Sequence, residues 1–131
     1  MYNIELKIAV NIQIQNSDID NILTTCFEGG SEYWIHQIKV VDNDYKGQKY
    51  ASDVISNNGK LQIITYEGTE CLLTKVKLVK GIESWLINYY YSPNKTKYGS
   101  DIESEFHLIN WDAGDSDIIL QYALFDKVVY G

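Results

Sequence analysis

The stretch that decides the predicted fold is residues 16–41, NSDIDNILTTCFEGGSEYWIHQIKVV. It opens on Asn16-Ser17-Asp18, a helix N-cap signal, and continues with apolar residues at helical spacing, namely Ile19, Ile22, Leu23, Cys26 and Phe27. Gly29 and Gly30 then end the helix. Residues 33–41 alternate in polarity, as a half-buried strand does. The stretch therefore predicts a helix, a glycine stop and a strand, and it places Cys26 in the core.

Elements of both kinds flank this stretch. On its amino-terminal side, residues 2–15 alternate strictly between apolar and polar, which predicts one long half-buried strand. On its carboxy-terminal side, the sequence predicts a helix at 48–56, a strand at 60–67, a helix that Thr74 caps and Gly81 interrupts, a loop at 92–99 and a helix at 118–129. Residues 101–111 fit either a helix or a short strand. We expect one α+β domain, residues 1–131, with a mainly antiparallel sheet of about three strands and about four helices.

The composition excludes several classes of protein. The 131 residues include eleven lysines and no arginine, and the net charge is -7. Arginine makes most bidentate contacts to guanine and phosphate, so a sequence-specific reader of duplex DNA is not expected. No apolar run is long enough to span a bilayer, and the start lacks the apolar core of a signal peptide. Together with two widely spaced cysteines, these features predict a cytoplasmic protein with no membrane partner.

The negative charge is concentrated in residues 98–126. Outside this window, eleven lysines and eleven acidic residues cancel. Inside it there is no lysine, and seven acids account for the whole net charge: Asp101, Glu103, Glu105, Asp112, Asp115, Asp117 and Asp126. Such a stretch is a solvated acidic loop, a cation site, or a surface that steers a basic partner into contact. In the last case, the first six acids are the predicted partner-binding residues.

Residues 28–34, EGGSEYW, are the strongest candidate for ligand binding. Paired glycines let a ligand approach the backbone closely, where exposed N–H groups can hold a phosphate. The rings of Tyr33 and Trp34 offer flat faces for a stacked base. The alternative is structural, with Gly29 as a helix C-cap, Gly30 in a turn and Trp34 in the core. The predicted ligand-binding residues are Gly29, Gly30, Ser31, Tyr33, Trp34 and Trp111.

No residue pattern typical of catalysis is recognisable. His36 and His107 fall in different predicted elements, and neither cysteine lies in an active-site motif. Residues 112–117, DAGDSD, lack the regular ligand spacing and the closing glutamate of an EF-hand, so we interpret them as a turn and a helix N-cap. The sequence therefore predicts no catalytic residue, no metal and no cofactor, in a protein that is not an enzyme.

Three blocks of sequence together carry a resemblance. They are EGGSEYW at 28–34, NWDAGD at 110–115 and LQYALF at 120–125, the last followed by VVYG at 128–131. In their spacing and in the length of the chain, they resemble an uncharacterised family of small proteins from phages and prophages of Firmicutes. Family members often have glycine where this chain has Asp126. The resemblance implies a phage source and an accessory role, and it assigns no chemistry to individual residues.

Small accessory proteins of this kind often blunt host antiviral defence, which suggests the first two of three hypotheses. The first is a sponge, a homo-oligomer in the host cytoplasm that binds and sequesters a nucleotide-derived immune signal without cleaving it. The second is an anti-CRISPR or another inhibitor of a host defence protein, in which the acidic surface of residues 98–126 imitates nucleic acid. The third is a phage accessory protein with no inhibitory role. The sequence favours the first, because the EGGSEYW block is the more specific feature.

Overall fold

The chain starts with two paired strands. In a computed structural model, which describes residues 2–5, 11–90 and 111–131, β1 (Tyr2–Glu5) pairs antiparallel with β2 (Asn11–Ile14). The prediction of one strand over 2–15 is wrong. Alternating polarity reports which face each side chain takes, and it does not record a reversal of chain direction. Ile12 and Ile14 of β2 are fully buried, as the alternation requires.

Residues 16–41 fold in the predicted order. Helix α1 (Asn16–Thr25) continues into a wide turn at Cys26–Gly30, and β3 (Ile35–Val40) follows. Asp18 fixes the start of α1 by accepting a hydrogen bond from the backbone N of Gln15 at 2.7 Å. The apolar stripe faces inward, since four of its members are fully buried: Ile19, Ile22, Leu23 and Cys26. The prediction that Cys26 is a core residue is confirmed.

Strands β3, β4 (Leu61–Thr65) and β5 (Glu70–Leu73) form an antiparallel sheet in that order. Val40 lies opposite Leu61, and Leu61 lies opposite Leu73. The predicted α+β fold with a three-stranded antiparallel sheet is therefore confirmed. Strand β5 is not predicted from the sequence, because four residues are too few to display a period.

The connection between β3 and β4 is irregular. The predicted helix at 48–56 is wrong, since residues 51–53 form only a single 3-10 turn. Val54 and Ile55 are buried by this turn and the residues after it. Four non-glycine residues of the connection adopt a left-handed backbone, which does not propagate a helix, and they flank residues 48–56 on both sides: Asp42, Asn43, Lys46 and Asn58.

Two further helices follow the sheet. Helix α2 (Lys75–Trp85) is capped by Thr74 as predicted, because the Thr74 hydroxyl accepts from the backbone N of Lys77 at 3.3 Å. A wide turn at Leu86–Tyr90 extends it. Helix α3 (Ala113–Phe125) begins at 113 rather than at the predicted 118.

The ends of α3 explain that difference. Asp112 is the N-cap of the helix, and the left-handed backbone of Asp126 ends it before the predicted residue 129. The described residues thus contain three α-helices where about four are predicted. The predicted loop at 92–99 and nearly all of the ambiguous stretch at 101–111 lie outside these residues. None of the three helices is long and apolar enough to cross a bilayer.

Glycine brings α2 and α3 into close contact. A β-carbon on Gly81 would lie 2.4 Å from the carbonyl oxygen of Ile119 and 3.0 Å from the β-carbon of Ala123, so only glycine fits there without displacement. The residue that interrupts the apolar stripe of α2 is thus a packing residue. Strands and helices share one core, whose fully buried members include Ile12, Ile22, Leu61, Ile63, Leu78, Ile82, Ile119 and Leu120.

Candidate functional site

A buried carboxylate, Asp117, accepts hydrogen bonds from four side chains. Its Oδ1 accepts from the hydroxyl of Ser31 and from the indole N–H of Trp34, both at 2.7 Å. Its Oδ2 accepts from the hydroxyl of Tyr33 at 2.5 Å and from Nε2 of Gln121 at 3.1 Å. Asp117 is 6% exposed. All four donors are uncharged, so hydrogen bonds rather than these partners' charges satisfy the buried carboxylate.

Two local structures place these side chains together. Asp117 and Gln121 lie one helical turn apart on α3 and share a face. A capping box fixes the start of α3: Asp112 Oδ1 accepts from the backbone N of Asp115 at 2.9 Å, and Asp115 Oδ2 accepts from the backbone N of Asp112 at 3.0 Å. The other three donors come from residues 31–34, where the carbonyl of Ser31 accepts from the backbone N of Trp34 at 3.2 Å.

Gly30 and Cys26 hold the segment at residues 26–34 against the start of α3. A β-carbon on Gly30 would lie 3.1 Å from the carbonyl oxygen of Ala113 and 3.2 Å from that of Thr25. The Cys26 thiol donates to the carbonyl oxygen of Ser116 at 3.2 Å. Burial raises the pKa of the Cys26 thiol to about 12, so this group keeps its proton at neutral pH.

Gln121 connects Asp117 to the segment at residues 127–131. Its carboxamide is fully buried, and Oε1 accepts from the backbone N of Val129 at 2.7 Å and of Tyr130 at 2.8 Å. Its Nε2 also donates to the carbonyl oxygen of Tyr130 at 3.1 Å. The carboxamide therefore pairs with both backbone polar groups of Tyr130.

The ring of Tyr130 lies flat on the indole of Trp34. Their ring centroids are 5.1 Å apart and the planes differ by 5°. Phe125 presents its edge to both rings. The hydroxyl of Tyr130 donates to Glu67 at 2.6 Å. Trp34 is 2% exposed, so a base would reach its face only after Tyr130 moved away. We call Ser31, Tyr33, Trp34, Asp117, Gln121 and Tyr130 the Asp117 cluster.

Tyr33 combines an exposed ring with a fixed hydroxyl. The residue is 54% exposed, while its hydroxyl contacts Asp117 and lies 3.3 Å from the carbonyl oxygen of Tyr130. Burial of the hydroxyl and the neighbouring Asp117 carboxylate raise the pKa of Tyr33 to about 12, so the hydroxyl remains a donor at neutral pH. A ring tethered in this way has little freedom to lose when a ligand stacks on it.

The predicted ligand-binding residues differ in accessibility. Ser31 and Trp34 are buried within the Asp117 cluster, and Gly30 is half-buried against α3. Gly29 and Tyr33 are exposed. Trp111 is half-buried directly before the N-cap of α3. Gly30 lies against Ala113, so both residues are at the same end of this helix. The structure gathers the set in one region, and Tyr33 presents its largest exposed side chain.

The acidic window is only partly a surface. Asp117 is buried, and Asp115 is half-buried, where it also accepts from the indole N–H of Trp85 at 3.1 Å. Asp112 is exposed, and the hydrogen bond from the backbone of Asp115 holds its pKa below the usual range. Asp117 is not accessible to a partner, because its four donors enclose it. The remaining predicted partner-binding residues lie outside the described residues: Asp101, Glu103 and Glu105.

Three residues of this region are not among the predicted site residues: Gln121, Tyr130 and Glu67. A signal for the first two was present, since they belong to the LQYALF block and to the VVYG that follows it. His36 is exposed on β3 with its ring 5.1 Å from that of Tyr66, and His107 lies outside the described residues. Within the described ranges, no group of three or more histidine, cysteine or acidic side chains is placed to hold a metal ion.

The three blocks behind the resemblance therefore meet in one place. EGGSEYW supplies three donors to Asp117, NWDAGD caps the helix that carries Asp117, and the third block with its following residues supplies Gln121 and Tyr130. No protein-family model, curated protein or solved structure matches the chain.

Proposed function

We propose that this chain is a phage accessory protein that binds and sequesters a nucleotide-derived immune signal in the cytoplasm of its bacterial host. The observation that carries the proposal is Tyr33, an exposed ring whose hydroxyl is fixed at 2.5 Å from a buried carboxylate. The phage source follows from the resemblance of the three sequence blocks. The proposal requires binding without cleavage, so the signal itself is chemically unchanged when the protein releases it.

In the proposed binding mode, the ligand contacts Tyr33 and Gly29. A base stacks on the exposed face of Tyr33, an interaction that contributes about 1–3 kcal/mol per base. Exposed Gly29 lets a ligand approach the backbone closely, since no side chain projects from it. Because the Asp117 cluster holds Tyr33 in place before the ligand arrives, little conformational entropy is lost on binding.

A thermal melt against nucleotide signals tests the proposal. The panel contains cyclic dinucleotides, cyclic ADP-ribose isomers and linear ADP-ribose adducts. A ligand at 100 times its Kd stabilises the folded state by about 2.7 kcal/mol, which raises the Tm of a domain of this size by about 5–15 °C. We expect a shift of that size with one signal, and recovery of the intact signal after denaturation. If no member of the panel raises the Tm, the proposal is contradicted.

Substitutions of tyrosine locate the binding face. We expect Tyr33→Ala to abolish the shift, and Tyr33→Phe to retain part of it, because phenylalanine keeps the stacking ring and loses the hydroxyl that fixes it to Asp117. Tyr50→Ala is the matched control, since Tyr50 is 59% exposed and lies in the connection between β3 and β4. An equal loss of binding in Tyr33→Ala and Tyr50→Ala would rule out Tyr33 as the specific stacking surface.

A further inference from the structure

Tyr130 makes, within the chain, three contacts that a bound nucleoside makes with a protein. Its ring stacks on Trp34 with the planes 5° apart. Its backbone N–H and C=O pair with the two ends of the Gln121 carboxamide, at 2.8 Å and 3.1 Å. Its hydroxyl donates to the Glu67 carboxylate at 2.6 Å. Each contact has a counterpart in the recognition of adenosine.

Of the three contacts of Tyr130, the pairing with Gln121 is the one that corresponds most specifically to adenosine recognition. A glutamine carboxamide recognises adenine by accepting from the N6 amino group and donating to N7. Gln121 accepts from the backbone N of Tyr130 and donates to its carbonyl oxygen, which is the same order of donor and acceptor. Indole faces stack bases, and acidic side chains accept hydrogen bonds from ribose hydroxyls.

We propose that Tyr130 occupies an adenine site, and that an adenine-containing ligand binds by displacing residues 127–131 from Trp34 and Gln121. The inference rests on the proposed function and narrows its ligand to signals that contain adenine. Tyr33 stands at the rim of this site, because its hydroxyl lies 3.3 Å from the carbonyl oxygen of Tyr130. The ring of Tyr33 then forms the outer wall of the same site.

The segment at 127–131 is suited to displacement. It follows the end of α3 and lies in neither a helix nor a strand. Val128 and Val129 are exposed, so little apolar surface of these two residues is buried. The contacts that hold the segment come mainly from Tyr130, which meets Gln121, Trp34 and Glu67 and also the ring of Phe125 and the hydroxyl of Tyr33. Segments with few buried apolar contacts open at low free-energy cost.

Calorimetric titration with adenosine tests the inference. Adenosine is uncharged, so the nearby Glu67 does not repel it. Tyr130→Ala removes the ring that covers Trp34 and the hydroxyl that contacts Glu67, which weakens the internal competitor. We expect Tyr130→Ala to bind adenosine at least about 10-fold more tightly than wild type, a difference of about 1.4 kcal/mol. We expect the same variant to bind 7-deazaadenosine, which lacks N7, at least about 10-fold more weakly than adenosine. Tyr50→Ala, at an exposed tyrosine of the β3–β4 connection, should bind adenosine as wild type does.

Several outcomes overturn the inference. One is adenosine binding to Tyr130→Ala that is no tighter than binding to wild type, and another is equal binding of the two nucleosides. If circular dichroism shows that Tyr130→Ala does not fold, Tyr130→Phe decides instead. It keeps the ring and loses the hydrogen bond to Glu67, so adenosine should bind about 2- to 5-fold more tightly, and unchanged affinity overturns the inference.

The same variants separate this inference from the proposed function. If wild type captures a signal and Tyr130→Ala gains no affinity for adenosine, the proposed function stands and the adenine site falls. If wild type captures none of the signals and Tyr130→Ala binds adenosine with the requirement for N7, the adenine site stands and the proposed function falls.

Discussion

Asp117 shows how one residue can organise a region of a small protein. Asp117→Asn replaces one of the two acceptor oxygens by an NH2 group that faces side-chain donors. A buried donor without an acceptor costs about 1–3 kcal/mol. We expect Asp117→Asn to lower the free energy of unfolding by about 2–4 kcal/mol, measured by urea denaturation.

Asp112→Asn is the matched control for that substitution. It makes the same chemical change at the exposed N-cap of the same helix, where asparagine caps as well as aspartate. The free energy of unfolding should fall by much less than in Asp117→Asn, because Asp112 is exposed and asparagine keeps the cap. If Asp117→Asn were equally mild, the hydrogen bonds around Asp117 would not contribute to stability as we infer.

Tyr33 predicts a loss of stability in alkali. Its pKa is raised from 10.0 to about 12 in the folded protein. A group whose pKa is raised on folding stabilises the folded state fully below its unfolded pKa, and this contribution disappears as the pH rises through the folded pKa. The free energy of unfolding of wild type should therefore fall more steeply between about pH 10 and 12 than that of Tyr33→Phe. Parallel curves from urea denaturation across this range would contradict the assignment.

The packing of α2 on α3 is decided by one glycine in the helix. Alanine favours a helix over glycine by about 1 kcal/mol. At Gly81, however, a β-carbon would lie 2.4 Å from the carbonyl oxygen of Ile119, so the two helices must separate. Overpacking of this kind costs about 1–3 kcal/mol. We expect Gly81→Ala to be destabilising overall by up to about 2 kcal/mol in urea denaturation.

Gly114→Ala is the control for the packing of these helices. Gly114 is exposed in the first turn of α3, and a β-carbon there would meet only Asp112 Oδ1, at 3.3 Å. This variant should change the free energy of unfolding by less than about 1 kcal/mol, because the Asp112 side chain is exposed and can shift. If both alanine variants were stabilised, helix propensity would outweigh the contact between α2 and α3.

The whole molecule is expected to unfold as one unit. Residues from both sheets and from all three helices share one buried core, which agrees with the single domain that the sequence predicts. Small domains with one core unfold in a two-state transition. In urea, helix content from circular dichroism and tryptophan fluorescence should give coincident transitions. Two resolved midpoints would instead indicate separate folding units.

The sequence determined by itself the elements whose signals are local. Helical spacing, caps and glycine stops gave α1, the start of α2 and the order of helix and strand around residues 16–41, because each signal depends on neighbours within one or two turns. The α+β class followed from the order of these elements. Predictions from local sequence were wrong at two places where that sequence is ambiguous. These are the reversal of the chain between β1 and β2 and the left-handed residues of the β3–β4 connection.

Tertiary structure alone decided what the polar residues of the candidate site do. Asp117 lies 86 positions from its partner Ser31 along the chain, and no pattern within the sequence links the two. The same applies to Trp34 and Tyr130, whose stacking decides that the indole is covered. Sequence reasoning identified EGGSEYW as special on its residue types, while the roles of its side chains depend on distances that exist only after α3 has packed on the turn.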